Sequence, residues 1–125
     1  MLFRSVDWHE TYSLNEHTNF YREISIICVP ITFDESIGLY LCEAFAAGRP
    51  AIEPATGSFA EIVGDAGIIY EKNNPDSLAD AIEQLLTDET KLKQYRINAL
   101  HLSATRYNKE VLANGLSDIY KSLLC

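Results

Sequence analysis

The sequence predicts an α/β fold: a small parallel sheet flanked by helices, with extra helices at the C-terminal end. Three observations predict it. The apolar run Ile24-Ser-Ile-Ile-Cys-Val-Pro30 suits a strand buried on both faces. The stretch Glu35 to Pro50 continues it as a loop and an apolar helix, which Gly48 and Pro50 bring to a stop. Beyond it, short apolar runs give way to segments whose apolar residues recur at helical spacing. Strands that alternate with helices pair in parallel, because each crossover must make room for a helix.

Taken in order, residues 1–19 assign poorly. Leu2–Val6 suits a short strand, Asp7–Ser13 a polar loop, and Leu14–Tyr21 a short helix leading to the strand at Ile24. Neither G-x-G-x-x-G nor G-x-x-x-x-G-K-[ST] occurs, which weighs against a self-contained dinucleotide or P-loop site. After Gly48, Pro50–Glu53 reads as a short strand and Ala55-Thr-Gly-Ser58 as a turn. Ser58–Val63 reads as a short helix closed by Gly64-Asp65, and Gly67–Glu71 as a further strand. Asn74 then caps a helix with Pro75 in its first position and Leu78, Ala81, Ile82, Leu85 and Leu86 on one stripe. Asp88 starts a second helix with Leu92, Tyr95, Ala99 and Leu102 at similar spacing. Asn108 starts a third with Val111, Leu112, Leu116, Ile119, Tyr120 and Leu123. These stripes are read as core and assigned no chemistry.

A chain of 125 residues is read as one domain, 1–125, long enough to bury about two thirds of its unfolded surface. With a net charge of -8 it lacks the basic footprint of a nucleic-acid binder. There is no polybasic stretch for anionic lipid, no apolar run of membrane-spanning length, and no signal-peptide pattern in residues 1–15. A cytoplasmic protein is expected. Cys28, Cys42 and Cys125 are odd in number and form no C-x-x-C, so they read as reduced, packed thiols. His9, His17 and His101 show no metal-ligand spacing, and no metal site is assigned.

Chemistry concentrates in Glu35-Ser-Ile-Gly-Leu-Tyr-Leu-Cys-Glu43. In open parallel sheets, the loop leaving a strand's carboxyl end, backed by a helix N-terminus, is where phosphorylated ligands collect. The amides near Ile37, Gly38 and Leu39 are expected to lie unpaired there. Glu43 stands among Leu39, Tyr40, Leu41, Cys42, Ala44, Phe45, Ala46 and Ala47, a helix that reads as buried all round. A carboxylate on such a helix must be protonated, paired or aimed at a cavity. Because helical side chains lean toward the N-terminus, Glu43 is expected to point at the mouth holding those amides. Amides for an anion and a carboxylate for hydroxyls would then sit one turn apart, on the order of 6 Å. Each glutamate also has a structural reading: Glu35 as a residue complementing the helix dipole, Glu43 as a buried carboxylate held by a backbone or basic donor.

The run Pro30-x4-Glu35-Ser-Ile-Gly38-Leu-x3-Glu43-Ala-Phe-Ala-Ala-Gly48-Arg-Pro50 resembles the retaining glycosyltransferases of two Rossmann-like domains (the GT-B fold, group 1), which carry Glu, seven residues, Glu. The resemblance continues through Thr56–Asp65, Ala66–Tyr70 and Asn74–Leu86, and covers about residues 20 to 122. It implies that the chain is the second, donor-binding half of such an enzyme, a fragment without the N-terminal acceptor domain. It implies transfer of a sugar from a nucleotide-sugar donor to an acceptor hydroxyl with retention, and no bound metal or other cofactor. Glu35 would hold hydroxyls of the donor sugar. The amides of Ser36, Ile37, Gly38 and Leu39 would stabilise charge on the departing phosphate, and Glu43 would chelate the ribose diol. The family places a glycine loop near Gly57 beside the donor sugar, and Glu61 reads as a structural carboxylate of its helix in preference to a third ligand. The family's upstream basic pair has no clear counterpart, since only Arg4 and Arg22 precede Ile24.

Two other classes are weighed against this one. An inactive remnant or partner subunit that binds nucleotide sugars or other proteins is favoured by the missing half and the missing basic pair. A glycosidase is disfavoured, because Glu43 lies on a helix rather than across an open sugar groove. The expected partners are the donor and either a separate acceptor domain or a second copy. Self-association would use a rim of Phe33, Ile37, Thr56 and Phe59 and the last helix, with Tyr120, Leu123 and Leu124.

Overall fold

The computed structural model describes residues 7–11, 13 and 15–124. The strand expected at Leu2–Val6 and the thiol of Cys125 lie outside the described residues. The elements run α1 (His17–Glu23), β1 (Ile27–Cys28), α2 (Leu39–Ala46), β2 (Ala51–Pro54), α3 (Phe59–Val63), β3 (Gly67–Tyr70), α4 (Pro75–Thr87), α5 (Glu89–Thr105) and α6 (Lys109–Leu124). The three strands pair in parallel in the order β1-β2-β3. Ile27 faces Ala51 and Cys28 faces Ile52. Ala51, Ile52, Glu53 and Pro54 face Gly67, Ile68, Ile69 and Tyr70.

The fold is therefore the expected α/β architecture, with one shift in where burial falls. The apolar run at Ile24 reads as a strand covered on both faces, yet β1 is an edge strand in which Ile27 is buried and Cys28 only half-buried. The central strand is β2, and all four of its residues are buried. Apolar content marks a strand, but its place in the sheet decides how fully it is covered.

Alternation along β2 feeds two cores. One side packs Ala51 and Ile27 against Leu41, Ala44 and Phe45 of α2, Phe59 and Val63 of α3, Ala99 of α5 and Tyr21 of α1. On the other side Ile52 and Tyr70 meet Ala81 and Leu85 of α4. The Phe45 ring stacks on Tyr107 with centroids 6.2 Å apart, which seats α2 against the end of α5. The helix starts follow the sequence signals. Asn74 Oδ1 accepts from the Ser77 amide at 3.0 Å, and Asp88 Oδ1 from the Lys91 amide at 2.9 Å. Asn108 Oδ1 accepts from the Val111 amide at 3.0 Å.

Two helices are less covered than their composition implies. The α6 stripe assigned to the core is open: the helix has no buried residue, and Leu112, Leu116, Ile119, Tyr120 and Leu123 are exposed. Helical periodicity shows which residues share a face and says nothing of what packs on it. In α2 only Leu41, Ala44 and Phe45 are buried. Its opposite side, Leu39, Glu43 and Ala46, is exposed, so the reading of α2 as buried all round is corrected.

Candidate functional site

The loops leaving the carboxyl ends of β1, β2 and β3 are tied to one another. Lys72, just past β3, donates to Asp34 Oδ1 at 3.2 Å and to Thr56 Oγ1 at 2.8 Å. The Thr56 hydroxyl also donates to Asp34 Oδ1. The Thr56 hydroxyl first, and the Lys72 ammonium second, hold the Asp34 carboxyl below its usual range. One cation and one hydroxyl thus join three loops.

Glu35 sits inside this arrangement. Its backbone carbonyl accepts from the Ser58 amide and the Ser58 hydroxyl, both at 3.1 Å, and that hydroxyl also reaches the Ser36 carbonyl at 3.0 Å. Gly57 makes the approach possible. Its φ is +53°, and a Cβ there would fall 2.3 Å from the Glu35 carbonyl oxygen, closer than real atoms come. A left-handed glycine in the second loop is what lets the first loop lie down.

The Glu35 side chain turns back on its own loop. Oε1 accepts from the Ser36 amide at 2.8 Å and from the Ile37 amide at 3.0 Å. These amides, Ile37 first, pull the Glu35 carboxyl below its usual range. The expectation that the Ile37 amide lies unpaired is corrected: the nearest anion is the residue that opens the loop, and it fills the nest. Gly38, at φ +58°, then makes the left-handed step into α2. Leu39 begins the helix 67% exposed, and Phe33 and Ile37 in the loop before it are exposed as well. Of the rim expected to be apolar and open, Phe33 and Ile37 are exposed, whereas Phe59 is fully buried and belongs to the core.

Glu43 is placed differently from Glu35. It is an exposed residue one turn into α2, and its Oε2 accepts from the Tyr21 hydroxyl at 2.9 Å. It lines an open groove of about 330 Å³ with Thr18, Arg22, Ala46 and Ala47, between α1 and α2. The desolvation argument for Glu43 fails, because the groove that carries it is open to solvent and Glu43 is exposed there. Arg22 shares that groove. Glu61 behaves as the structural carboxylate it was read to be: it accepts from Arg106 at 2.8 Å and joins α3 to the end of α5.

The buried carboxylate is Glu53, a residue the sequence reading passed over. It is 0% exposed at the end of β2, and its two oxygens and the Tyr40 hydroxyl are buried without a hydrogen bond of good geometry. Burial pushes the Glu53 carboxyl up to about 8, against the pull of the nearby Tyr40 hydroxyl and Val29 amide. Nothing local in Ala51-Ile-Glu-Pro54 marks it: a carboxylate in a strand paired on both edges and covered on both faces has no route to water, and that place in the sheet is set by the pairing. Cys28 is pushed up to about 12, chiefly by burial and then by Glu53, which makes it an inert thiol. Cys42 is likewise free. Among the described residues no cluster of His, Cys, Asp or Glu is arranged to hold a metal, and no helix is long and apolar enough to cross a membrane.

Loops gathered at the carboxyl ends of parallel strands, beside a glycine-entered helix, are the geometry the sequence resemblance implied. The sequence profile described as "Glycosyl transferases group 1" matches residues 2–101. The chain belongs to that family. It is 32% identical to an exopolysaccharide phosphotransferase of Streptomyces coelicolor, over 98% of this chain and 14% of that protein. An uncharacterized glycosyltransferase of Methanocaldococcus jannaschii is 31% identical, over 89% of this chain and 32% of the relative. A D-inositol 3-phosphate glycosyltransferase of Corynebacterium diphtheriae is 30% identical, over 84% and 25% respectively. Among solved structures, sucrose-phosphate synthase from Thermosynechococcus elongatus superposes with a TM-score of 0.73 at 26% identity, over 84% of this chain and 27% of that one. This group 1 glycosyltransferase chain thus spans a third or less of each of these proteins.

Proposed function

We propose that this chain is the donor-binding half of a retaining glycosyltransferase, which transfers a sugar from a nucleotide-sugar donor to an acceptor hydroxyl. The observation that carries this reading is the clamp of Gly57 and Ser58 on the backbone of Glu35, which presents the start of α2 at the carboxyl ends of the strands. Family membership supports it. The phosphotransferase name belongs to a protein of which this chain spans 14%, so it carries no activity here.

Each residue's part follows from its chemistry. Loss of the nucleoside diphosphate leaves charge growing on a phosphate oxygen, and fixed backbone donors stabilise such charge without reorganising. The amides of Ser36 through Leu39 are suited to that task once Glu35 swings off Ser36 and Ile37. The released carboxylate would accept hydrogen bonds from sugar hydroxyls, so a single movement opens the anion nest and supplies a sugar ligand. Glu43, open to solvent at the groove it shares with Arg22, would take the ribose diol. No side chain acts as a nucleophile here. The step is positioning plus leaving-group stabilisation, which needs no bound metal, and the acceptor is presented by a further domain.

A second reading, a binding module without turnover of its own, is favoured by Glu35 occupying the nest and by the exposed apolar edge of Phe33, Ile37 and Leu39. Titrating the isolated chain with a panel of nucleotide sugars, followed by amide NMR, tests both readings. Donor-site binding predicts shifts centred on Ser36 to Leu39 with nucleoside diphosphate release at background. Shifts confined to other loops would overturn the assignment, and sustained acceptor-dependent turnover by the chain alone would overturn its half-enzyme status.

A further inference from the structure

Long side chains exposed on a helix ordinarily move among rotamers, because holding one still costs conformational entropy. Glu43 is exposed on α2, yet its Oε2 accepts from the Tyr21 hydroxyl at 2.9 Å. The same hydroxyl stands 3.3 Å from the Tyr40 carbonyl oxygen, and Tyr40 and Glu43 share one face of α2 at i and i+3. A hydroxyl has one proton to give, and the shorter contact, to a charged acceptor, is the stronger. Tyr21 is only 3% exposed and belongs to the core that α2 also feeds, so the donor is fixed although the acceptor is open to water.

The donor is held from behind as well. Arg49 Nε donates to the Tyr21 carbonyl at 2.6 Å and Nη2 to the Arg22 carbonyl at 3.0 Å. These carbonyls belong to the last turn of α1, where a helix supplies no partners of its own, and a guanidinium offers its donors in one rigid fork. Arg49 is placed by the stop of α2, since its amide donates to the Ala44 carbonyl at 2.8 Å. The contacts close a circuit: from the end of α2 through Arg49 to the end of α1, and from Tyr21 back to the face of α2 that carries Glu43. The two walls of the groove lined by Arg22 and Glu43 are thereby tied to each other.

We propose that Tyr21 and Arg49 are positioning residues for Glu43: Tyr21 holds the carboxylate in one orientation across the groove, and Arg49 holds Tyr21. Each carboxylate oxygen has two lone pairs, so the Tyr21 bond alone does not saturate Oε2. A carboxylate held still matches the fixed spacing of a vicinal diol, whereas a roaming one must be ordered at every binding event. The consequence for the donor rests on the donor-site reading above, and it is a preference for ribose over deoxyribose, because a site built to receive two hydroxyls loses a contact when one is missing. The circuit itself is a property of the fold.

The experiment has a ligand-free arm and a donor arm. Three-bond NMR couplings about the first side-chain torsion of Glu43 show one rotamer in the wild type and averaging in Tyr21→Phe, which keeps the buried ring and removes the hydroxyl. Arg49→Lys, which keeps the charge and loses the fork, gives intermediate couplings. Tyr107→Phe removes a hydroxyl that bonds the Ile62 carbonyl at 3.1 Å and leaves the Glu43 couplings unchanged, which separates positioning from a general loss of packing. In the donor arm the probes are the glucose diphosphates of uridine, guanosine and adenosine, each with its deoxyribose counterpart. The wild type favours the ribose form of the probe it binds by about tenfold. Tyr21→Phe narrows that preference to about twofold by weakening the ribose form alone. Averaged couplings in the wild type, or couplings that Tyr21→Phe leaves unchanged, overturn the proposal, and so does a ribose preference that survives in full in Tyr21→Phe while Glu43→Gln abolishes it. If the couplings respond as stated and none of the probes binds, the donor-site reading fails and the positioning of Glu43 stands.

Discussion

Glu35 Oε1 accepts the Ile37 amide at 3.0 Å, so the carboxylate that opens the site loop occupies the place an anionic ligand would take. Such a contact orders the loop from within. Glu35→Ala removes the acceptor, and the Ser36 and Ile37 amides are expected to exchange about tenfold faster while those of α4 are unchanged. Equal exchange in wild type and variant would show that the loop is held by its backbone clamp alone.

The clamp itself depends on Gly57. A methyl group there meets the Glu35 carbonyl, and the backbone must also keep φ at +53°. Gly57→Ala is expected to cost roughly 1–3 kcal/mol in urea unfolding. Gly115, in α6, has nothing within 4 Å of an added Cβ, so Gly115→Ala is the matched control. It should be neutral or stabilising by about 0.5–1 kcal/mol. Similar losses for both would mean that the close approach does not matter.

Stability should respond to pH through opposed carboxyls. Glu53 has its folded value pushed up to about 8, above the ~4.3 of a free glutamate. Between these values the unfolded chain has released a proton that the folded chain keeps. The unfolded state then binds fewer protons, and stability falls as pH rises toward 8. Glu35 and Asp34 are shifted down, so their contribution is present above their unfolded values and is lost as pH falls through the folded ones. Urea midpoints should therefore peak in mildly acid solution. The alkaline decline should flatten in Glu53→Gln, and an unchanged slope would contradict the assignment.

Core and surface should separate cleanly. Phe45 is fully buried and stacked on Tyr107, and Phe45→Ala should cost about 3–5 kcal/mol. Leu116 and Leu123 stand 51% and 76% exposed on the open stripe of α6. Leu116→Ser with Leu123→Ser should change monomer stability by less than about 0.5 kcal/mol. It should also reduce a concentration-dependent rise in mass seen by light scattering of the wild type. A wild type that is strictly monomeric would show that this stripe does not drive association.

Local patterns made most of the architecture legible. Asn74 with Pro75, Asp88 and Asn108 marked three helix starts, because a cap is a contact among neighbours in sequence. Gly48 with Pro50 and the apolar runs located α2 and the strands. Burial was harder to read. The apolar neighbours of Glu43 suggested a covered helix, but cover depends on what lies across from it in space, and along Glu43 and Ala46 that is an open groove shared with α1. Glu53 was missed for the same reason in reverse, since β2's central place depends on pairing with strands on both sides. The tie among Lys72, Asp34 and Thr56 joins residues up to 38 positions apart, and only the parallel topology brings their loops together.

The central claim is that the start of α2 is a nucleotide-sugar site served by Glu35 and Glu43, with Glu61 structural. Calorimetric titration of the wild type, Glu43→Gln and Glu61→Gln with the nucleotide sugar that binds best is the most direct test. Binding is expected to be weak, to fall about tenfold or more in Glu43→Gln and to be nearly unchanged in Glu61→Gln, whose carboxylate is paired with Arg106. Equal losses in the two variants, or a loss only in Glu61→Gln, would contradict it.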